Sequence, residues 1–214
     1  MQETDICESC GNEYKSIGKH WGRTSWDYPK ITDKQHQIIT GLLMGDGWVH
    51  SRKTPRLQAT MVSENYLYYL SNSFGKLSNG VKLREEGDKN YKDKYTWSFS
   101  HPHLQKYRDW YSSGEKIWPE DLNLTPTVLK HWYCGDGTKH RNTIVISMWN
   151  EHKRLDKASK IFENSGLPSP SNYNINEEKS TCDAQFTVKQ SEIIWDYMGE
   201  PLPDFGYKWP DGKS

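Results

Sequence analysis

The triplet Gly-Asp-Gly occurs twice in this chain, at residues 45–47 and 135–137, each time closing an apolar run: IITGLLM before Gly45 and VLKHWYC before Gly135. Both runs carry helix-start signals. Thr32 and Asp33 can cap the first, and Thr125-Pro126 opens the second with proline in the first turn, where its missing N–H is no loss. A hairpin pattern follows each triplet, with LQATMV as the returning strand in one half and TKHRN then TIVISMW in the other. Next comes an amphipathic helix, ENYLYYLSNSF with Leu67, Leu70 and Phe74 at helical spacing, matched by EHKRLDKASKIFEN. Two further strands and a closing helix complete each half: VKLRE, KYTWSFS and HLQKYRDWY, then SNYNI, AQFTV and SEIIWDYMG. Aligning the triplets sets Met61 against Met148, Ser63 against Asn150 and Glu64 against Glu151. An internal duplication of roughly 90 residues is the simplest account. That period is too long for a solenoid and two copies are too few. The expected fold is therefore α+β, two αββαββα repeats related by a pseudo-twofold axis. The boundaries read as a small segment over 1–30, a first repeat over 31–124 and a second over 125–214.

Two helices carrying small residues can pack side by side, bringing their C-terminal ends together. Asp46 and Asp136 then project at one end of the pair. Like charges repel there, and each helix dipole is negative at that end. A divalent cation relieves both effects. Oxygen-only ligation, from the two carboxylates with the backbone carbonyls of Gly45 and Gly135, favours Mg²⁺ completed by phosphate oxygens and water. A cation so held suits phosphodiester hydrolysis, and twofold-related sites could cut two strands. A single Asp-Gly reads as a helix stop and turn. Two, each after an apolar helix and ahead of a basic strand pair, make the signal specific.

Charge sets a condition on this reading. Lys+Arg and Asp+Glu are equal at 28, whereas phosphate neutralisation supplies most of a nucleic-acid binder's affinity. DNA binding therefore requires charge segregated by face. Residues 48–62 hold Arg52, Lys53 and Arg56 without an acid, and residues 138–149 hold Lys139 and Arg141 likewise. Both stretches read as strands, so a basic sheet face is expected. The 10 Trp and 13 Tyr, against 5 Phe, suit a wet interface. No apolar run nears the ~18 residues of a membrane span, and MQETDICESC is not a signal peptide. A cytoplasmic monomer with no membrane partner is expected.

The motifs resemble those of a known family. ITGLLMGDG, residues 39–47, resembles the nine-residue LAGLIDADG motif at Gly41, Leu42, Asp46 and Gly47. LKHWYCGDG, residues 129–137, resembles a divergent second copy at Leu129, Asp136 and Gly137. The order of elements is similar to the αββαββα half of the LAGLIDADG homing endonucleases, over about residues 31–210. The resemblance implies a saddle of two antiparallel sheets lying along the DNA major groove, with the motif helices between the halves. It implies a cut across the minor groove that leaves 3′ overhangs. It also implies one basic residue per half near the scissile phosphate, Lys116 in SSGEKIWP and Lys208 in FGYKWP, and a water-organising polar residue at a strand end, Ser63 and Asn150. Site specificity would come from Arg52, Lys53, Arg56, Gln58, Arg84, Lys139 and Arg141, since Arg to guanine and Gln to adenine are the natural major-groove pairings. The expected function is a sequence-specific double-strand DNA endonuclease, free-standing or borne by a mobile intron. A non-cleaving RNA maturase or DNA-binding regulator on the same scaffold is the alternative, and retention of both aspartates speaks against it.

Four cysteines do not make a disulfide framework in a chain this long. Cys7-Glu-Ser-Cys10-Gly looks like a zinc knuckle, whose turn points two thiolates at one Zn²⁺ ion. His20 is the natural third ligand, and Asp27 and His36 are the nearest candidates for a fourth. A finger that has lost its metal and a redox pair are the other readings, although the βαβ setting of a thioredoxin-like motif is missing. Cys134 and Cys182 fall within an expected helix and strand and read as core.

Overall fold

The computed structural model describes residues 4–24, 27–84, 94–111, 116–148, 153–178 and 181–210. It opens with a small antiparallel pair, β1 (Asp5–Ile6) and β2 (Glu13–Tyr14), and a short helix, α1 (Ile17–Arg23). The first repeat then runs α2 (Asp33–Met44), β3 (Trp48–His50), β4 (Arg56–Met61), α3 (Glu64–Phe74), β5 (Ser78–Arg84), β6 (Lys94–Ser100) and a 3₁₀-helical segment, Pro102–Tyr111. The second runs α4 (Pro126–Asp136), β7 (Gly137–His140), β8 (Thr143–Ser147), α5 (Leu155–Asn164), β9 (Asn172–Asn176), β10 (Thr181–Gln185) and α6 (Val188–Met198). Each repeat builds a four-stranded antiparallel sheet with one strand order, β3-β4-β6-β5 and β7-β8-β10-β9. The duplication legible in the sequence is thus a duplication of topology, and the α+β expectation holds.

Helix starts follow from side-chain chemistry. Thr32 accepts the Gln35 N–H at 3.2 Å while Gln35 accepts the Thr32 N–H at 2.9 Å, a reciprocal cap on α2. Thr125 accepts the Val128 N–H, with Pro126 in the first turn of α4. The sheets obey period-two alternation. Val49, Leu57, Ala59, Trp97 and Phe99 turn inward with Tyr66, Leu67, Leu70 and Phe74 of α3. Ile144, Ile146, Cys182 and Ala184 turn inward with Ala158, Ile161 and Phe162 of α5. Cys134 and Cys182 are core residues, as expected.

Several elements differ from their sequence signals. AQFTV was expected as a strand, but the strand is Thr181–Gln185. Thr187 and Gln190 form a reciprocal cap that starts α6, and Phe186 turns in to pack on Phe162 at 5.3 Å, so the chain leaves the sheet early. The helix expected after Pro102 is 3₁₀-helical throughout, opening with the N–H of Leu104 on the His101 carbonyl. β5 begins at Ser78 rather than Val81, with a register shift against β6 between those two residues. The described part of the helix expected over 151–164 begins at Leu155.

The two repeats meet along α2 and α4. A Cβ on Gly41 would collide with the Val128 carbonyl and stand 2.7 Å from Cβ of His131. Further down, a Cβ on Gly45 would lie 3.5 Å from Cα of Gly135. Two bulky rings of α4 pack within its own half, Trp132 on Phe162 at 5.9 Å and Tyr133 edge-on to Trp209 at 5.3 Å, and Trp132 also meets Trp118, from the tail of the first repeat, edge-on at 4.9 Å. Polar links across the junction include His131 Nδ1 with Tyr66 Oη at 2.6 Å and Thr125 Oγ1 donating to Gln37 Oε1 at 2.8 Å.

Candidate active site

Backbone contact at Gly45 and Gly135 fixes where the aspartates stand. Asp46 follows the end of α2 and Asp136 is the last residue of α4. A Cβ on Gly135 would lie 3.4 Å from Asp46 Oδ2 and 3.2 Å from Asp46 N, so the acidic side chain of one repeat reaches the glycine next to its counterpart. Each aspartate stands at the root of its sheet's first strand, with β3 starting at Trp48 and β7 at Gly137. Asp46 keeps an open surface as a residue although the protein packed around its carboxyl desolvates that group, and Asp136 is half-buried. Burial, and then the negative charge of Asp46, push the Asp136 carboxyl up from 3.8 to about 7. Burial also raises Asp46, against the pull of Lys116 and Lys208. The two groups form an interacting pair in which both ionised forms are disfavoured.

Each half supplies the lysine its motif led one to look for. Lys116 Nζ donates to the Gly45 carbonyl at 2.6 Å. Lys208, itself buried, donates to the Cys134 carbonyl at 2.7 Å, with Gly135 O at 3.5 Å. Both ammonium groups thereby sit on the carbonyl ends of the motif helices, where a positive charge offsets the dipole. Burial lowers the pKa of each lysine, and the charges of Asp46 and Asp136 oppose that shift. The Gly45 and Gly135 carbonyls therefore already receive an ammonium, and each keeps one further lone pair. Ser63 stands between β4 and α3, half-buried, and makes no capping hydrogen bond. Asn150 lies outside the described residues.

The sheet faces are unequal. Cross-strand register places Arg56, Gln58, Thr60, Lys82, Arg84, Lys94 and Thr96 on one face of the first sheet, opposite the buried side chains. Among the described residues that face carries no acid. Arg52 and Lys53 are exposed in the β3–β4 turn. Trp48, 46% exposed on the same face, packs on Tyr111 at 4.4 Å. The second sheet corrects an expectation. Lys139 is paired with the fully buried Ile144, so it faces the core side, where its Nζ donates to the Trp209 carbonyl at 2.9 Å. Arg141 lies in the hairpin turn at φ 56°. What the open face presents instead is Thr138, Ser147, Gln185, Asn172 and Asn174, with Asp183 among them accepting from Ser147. A count of basic residues along β7 and β8 could not see this, because alternation decides which of them face outward. Lys82 and Lys94 share one face of the first sheet with Arg84 and were not among the expected contacts, because only the pairing of β5 with β6 shows that they stand beside it.

In the N-terminal segment Cys7, Cys10 and His20 come together, joined by Asp27. His36 is elsewhere, its Nδ1 3.0 Å from Tyr107 Oη.

Comparison with known proteins fits this geometry. A model of the LAGLIDADG DNA endonuclease family matches residues 36–177. The uncharacterized protein MJ1098 of Methanocaldococcus jannaschii is 28% identical over 136 residues, 59% of this chain and 53% of that protein. The chain thus matches about half the length of that relative. Among solved structures, the homing endonuclease I-WcaI bound to its DNA recognition sequence superimposes with a TM-score of 0.74 at 16% identity, covering 90% of this chain and 91% of that one. I-DmoI in complex with DNA and Mn gives a TM-score of 0.50 at 16% identity, over 76% and 94%. At such identity the likeness is one of fold.

Proposed function

Because the chain belongs to the LAGLIDADG DNA endonuclease family, we propose that it is a homing endonuclease cutting both strands of a specific DNA site, with Asp46 and Asp136 holding the divalent cation. The observation that carries this reading is the meeting of two acidic side chains at the crossing of α2 and α4, each backed by a lysine from its own repeat. The donor set fits such an ion: it offers carboxylate oxygens, and burial holds both carboxyls above their ordinary range even against the pull of Lys116 and Lys208, a cost that a bound divalent cation relieves. Oxygen ligands and a phosphate substrate favour Mg²⁺. When bound, the cation supplies Lewis-acid activation of the phosphate and the attacking water.

The remaining work falls to the chain's own groups. Lys116 and Lys208, anchored on the motif-helix carbonyls, hold positive charge where negative charge develops on the phosphorane. Preorganisation matters here, because fixed ammonium groups need not reorient during reaction. Arg56, Lys82, Arg84 and Lys94 take DNA phosphates and base edges on the first sheet. Asn, Gln and Thr side chains read base edges on the second with little help from charge. One chain supplies both halves of the site, so a monomer suffices. Among the described residues no helix is long and apolar enough to cross a membrane, and we place the enzyme at DNA in the cytoplasm.

One observation favours the second reading, a maturase or regulator that binds without cutting: among the described residues the second sheet's open face presents no Lys or Arg from its strands and holds Asp183. The test is to incubate the protein with DNA carrying the uninterrupted insertion site of its own gene, with and without Mg²⁺. Cleavage of both strands that requires the metal is expected. No metal-dependent cut, together with specific RNA affinity, contradicts the nuclease.

A further inference from the structure

We propose that Cys7, Cys10, His20 and Asp27 form a structural Zn²⁺ site that fastens the N-terminal segment onto the first repeat. This site is independent of the nuclease reading. The four ligand atoms lie within 4.8 Å of one another. His20 Nε2 is 3.1 Å from Asp27 Oδ2 and 3.5 Å from Cys10 Sγ. A tetrahedral ion with ordinary Zn–S, Zn–N and Zn–O bonds requires ligand separations of about 3.3–3.8 Å, so the cluster is already close to that shape.

The surroundings are those of a thiolate site. The Cys7 N–H donates to the Asn12 carbonyl at 2.9 Å and the Gly11 N–H to the Cys7 carbonyl at 2.8 Å. Gly11 takes φ 72°, a conformation that favours glycine and folds the chain back after Cys10. Backbone N–H groups of Ser9 and Cys10 are directed at the Cys7 sulfur. Tyr14 stacks on the His20 ring at 3.9 Å and 11°, fixing the direction of Nε2. Asp27 is 8% exposed, and a carboxylate buried beside two thiols is unfavourable unless something neutralises it. An ion held by two thiolates, an imidazole and a carboxylate does so for all of them.

The site also has a mechanical consequence. Asp27 leads directly into Tyr28, whose ring meets His101 edge-on at 5.0 Å, and Pro29, whose carbonyl lies 3.0 Å from His101 Nε2. His101 stands between β6 and the 3₁₀ segment of the first repeat. An ion joining Cys7 to Asp27 thus ties the start of the chain to its docking point. Since zinc binds the assembled site far better than the loose segment, its binding free energy holds the segment folded.

Full-length protein purified without chelator should carry one zinc per chain by elemental analysis. Exchange into Co²⁺ should give the visible bands of a tetrahedral ion with near-ultraviolet thiolate charge transfer. Asp27→Ala should lose zinc to a competing chelator that leaves the wild-type protein loaded, at least about tenfold weaker, while His36→Ala should retain it. Absence of zinc, with no tetrahedral spectrum when Co²⁺ is titrated into the wild-type chain, overturns the site. Retention by Asp27→Ala equal to wild type overturns the fourth ligand. The Co²⁺ spectrum of the wild-type chain decides the matter even where a variant fails to fold.

Discussion

Replacing Asp136 by Asn should reduce double-strand cleavage by at least about a thousandfold while making the Mg²⁺-free protein more stable at pH 8. The two effects have one origin. Burial and the neighbouring charge of Asp46 hold the Asp136 carboxyl at about 7, against an ordinary 3.8. Between those values the folded chain keeps a proton that the unfolded chain has released. The contribution of Asp136 to the stability of the Mg²⁺-free protein is therefore greatest below the lower value, falls as pH rises through the window and levels off above the upper one. The full loss approaches about 4 kcal/mol. Asn keeps the shape and carries no charge to desolvate, so the variant escapes the loss but cannot hold a cation. Urea unfolding at pH 5 and pH 8 in Mg²⁺-free buffer should show Asp136→Asn gaining on the wild type as pH rises, because the stability that both proteins gain from the buried imidazoles of His101 and His131 cancels in the difference. DNA affinity should change little, and Asp46→Asn should likewise lose cleavage. Wild-type activity in either variant contradicts the assignment.

Gly41→Val should separate the two halves. A Cβ at this position meets the Val128 backbone carbonyl and stands 2.7 Å from Cβ of His131. His131 cannot retreat easily, because its imidazole is held by Tyr66 at 2.6 Å within the buried junction. Overpacking typically costs about 1–3 kcal/mol, and a β-branched side chain against a backbone neighbour falls at or above the top of that range. The helices must move apart, and displacement of the catalytic pair by about 1 Å lowers cleavage about a hundredfold. Gly18→Ala, where a Cβ would meet nothing within 4 Å, serves as the control and should be silent. Unfolding and cleavage assays on the three proteins test this, and a Gly41→Val chain indistinguishable from wild type contradicts close packing of α2 on α4.

The duplication, both aspartates and their helices were legible in the sequence, because each depends on local signals repeated in a fixed order, whereas the two lysines followed from the family resemblance. Lys116 and Lys208 could be paired only by matching the tails of the two halves, SSGEKIWP with FGYKWP. Other features depend on tertiary facts. Lys139 looked like a DNA contact until the register with Ile144 turned it to the core side. The strand at Thr181–Gln185 was placed too late because the cap at Thr187 was not weighed against the β-favouring run AQFTV. Asp27 stood beside His36 as an equal candidate, since nothing local separates a carboxylate aimed at two thiols from an imidazole bound to Tyr107.

The central claim is that one residue from each repeat contributes to a single cation site. Crystals of the protein with its DNA site, grown with Mn²⁺ in place of Mg²⁺ and measured at the manganese absorption edge, test it most directly. The account predicts anomalous density within coordinating distance of carboxylate oxygens from both Asp46 and Asp136, absent in Asp136→Asn. Density bound to one aspartate alone, or manganese sited away from the crossing of α2 and α4, contradicts it.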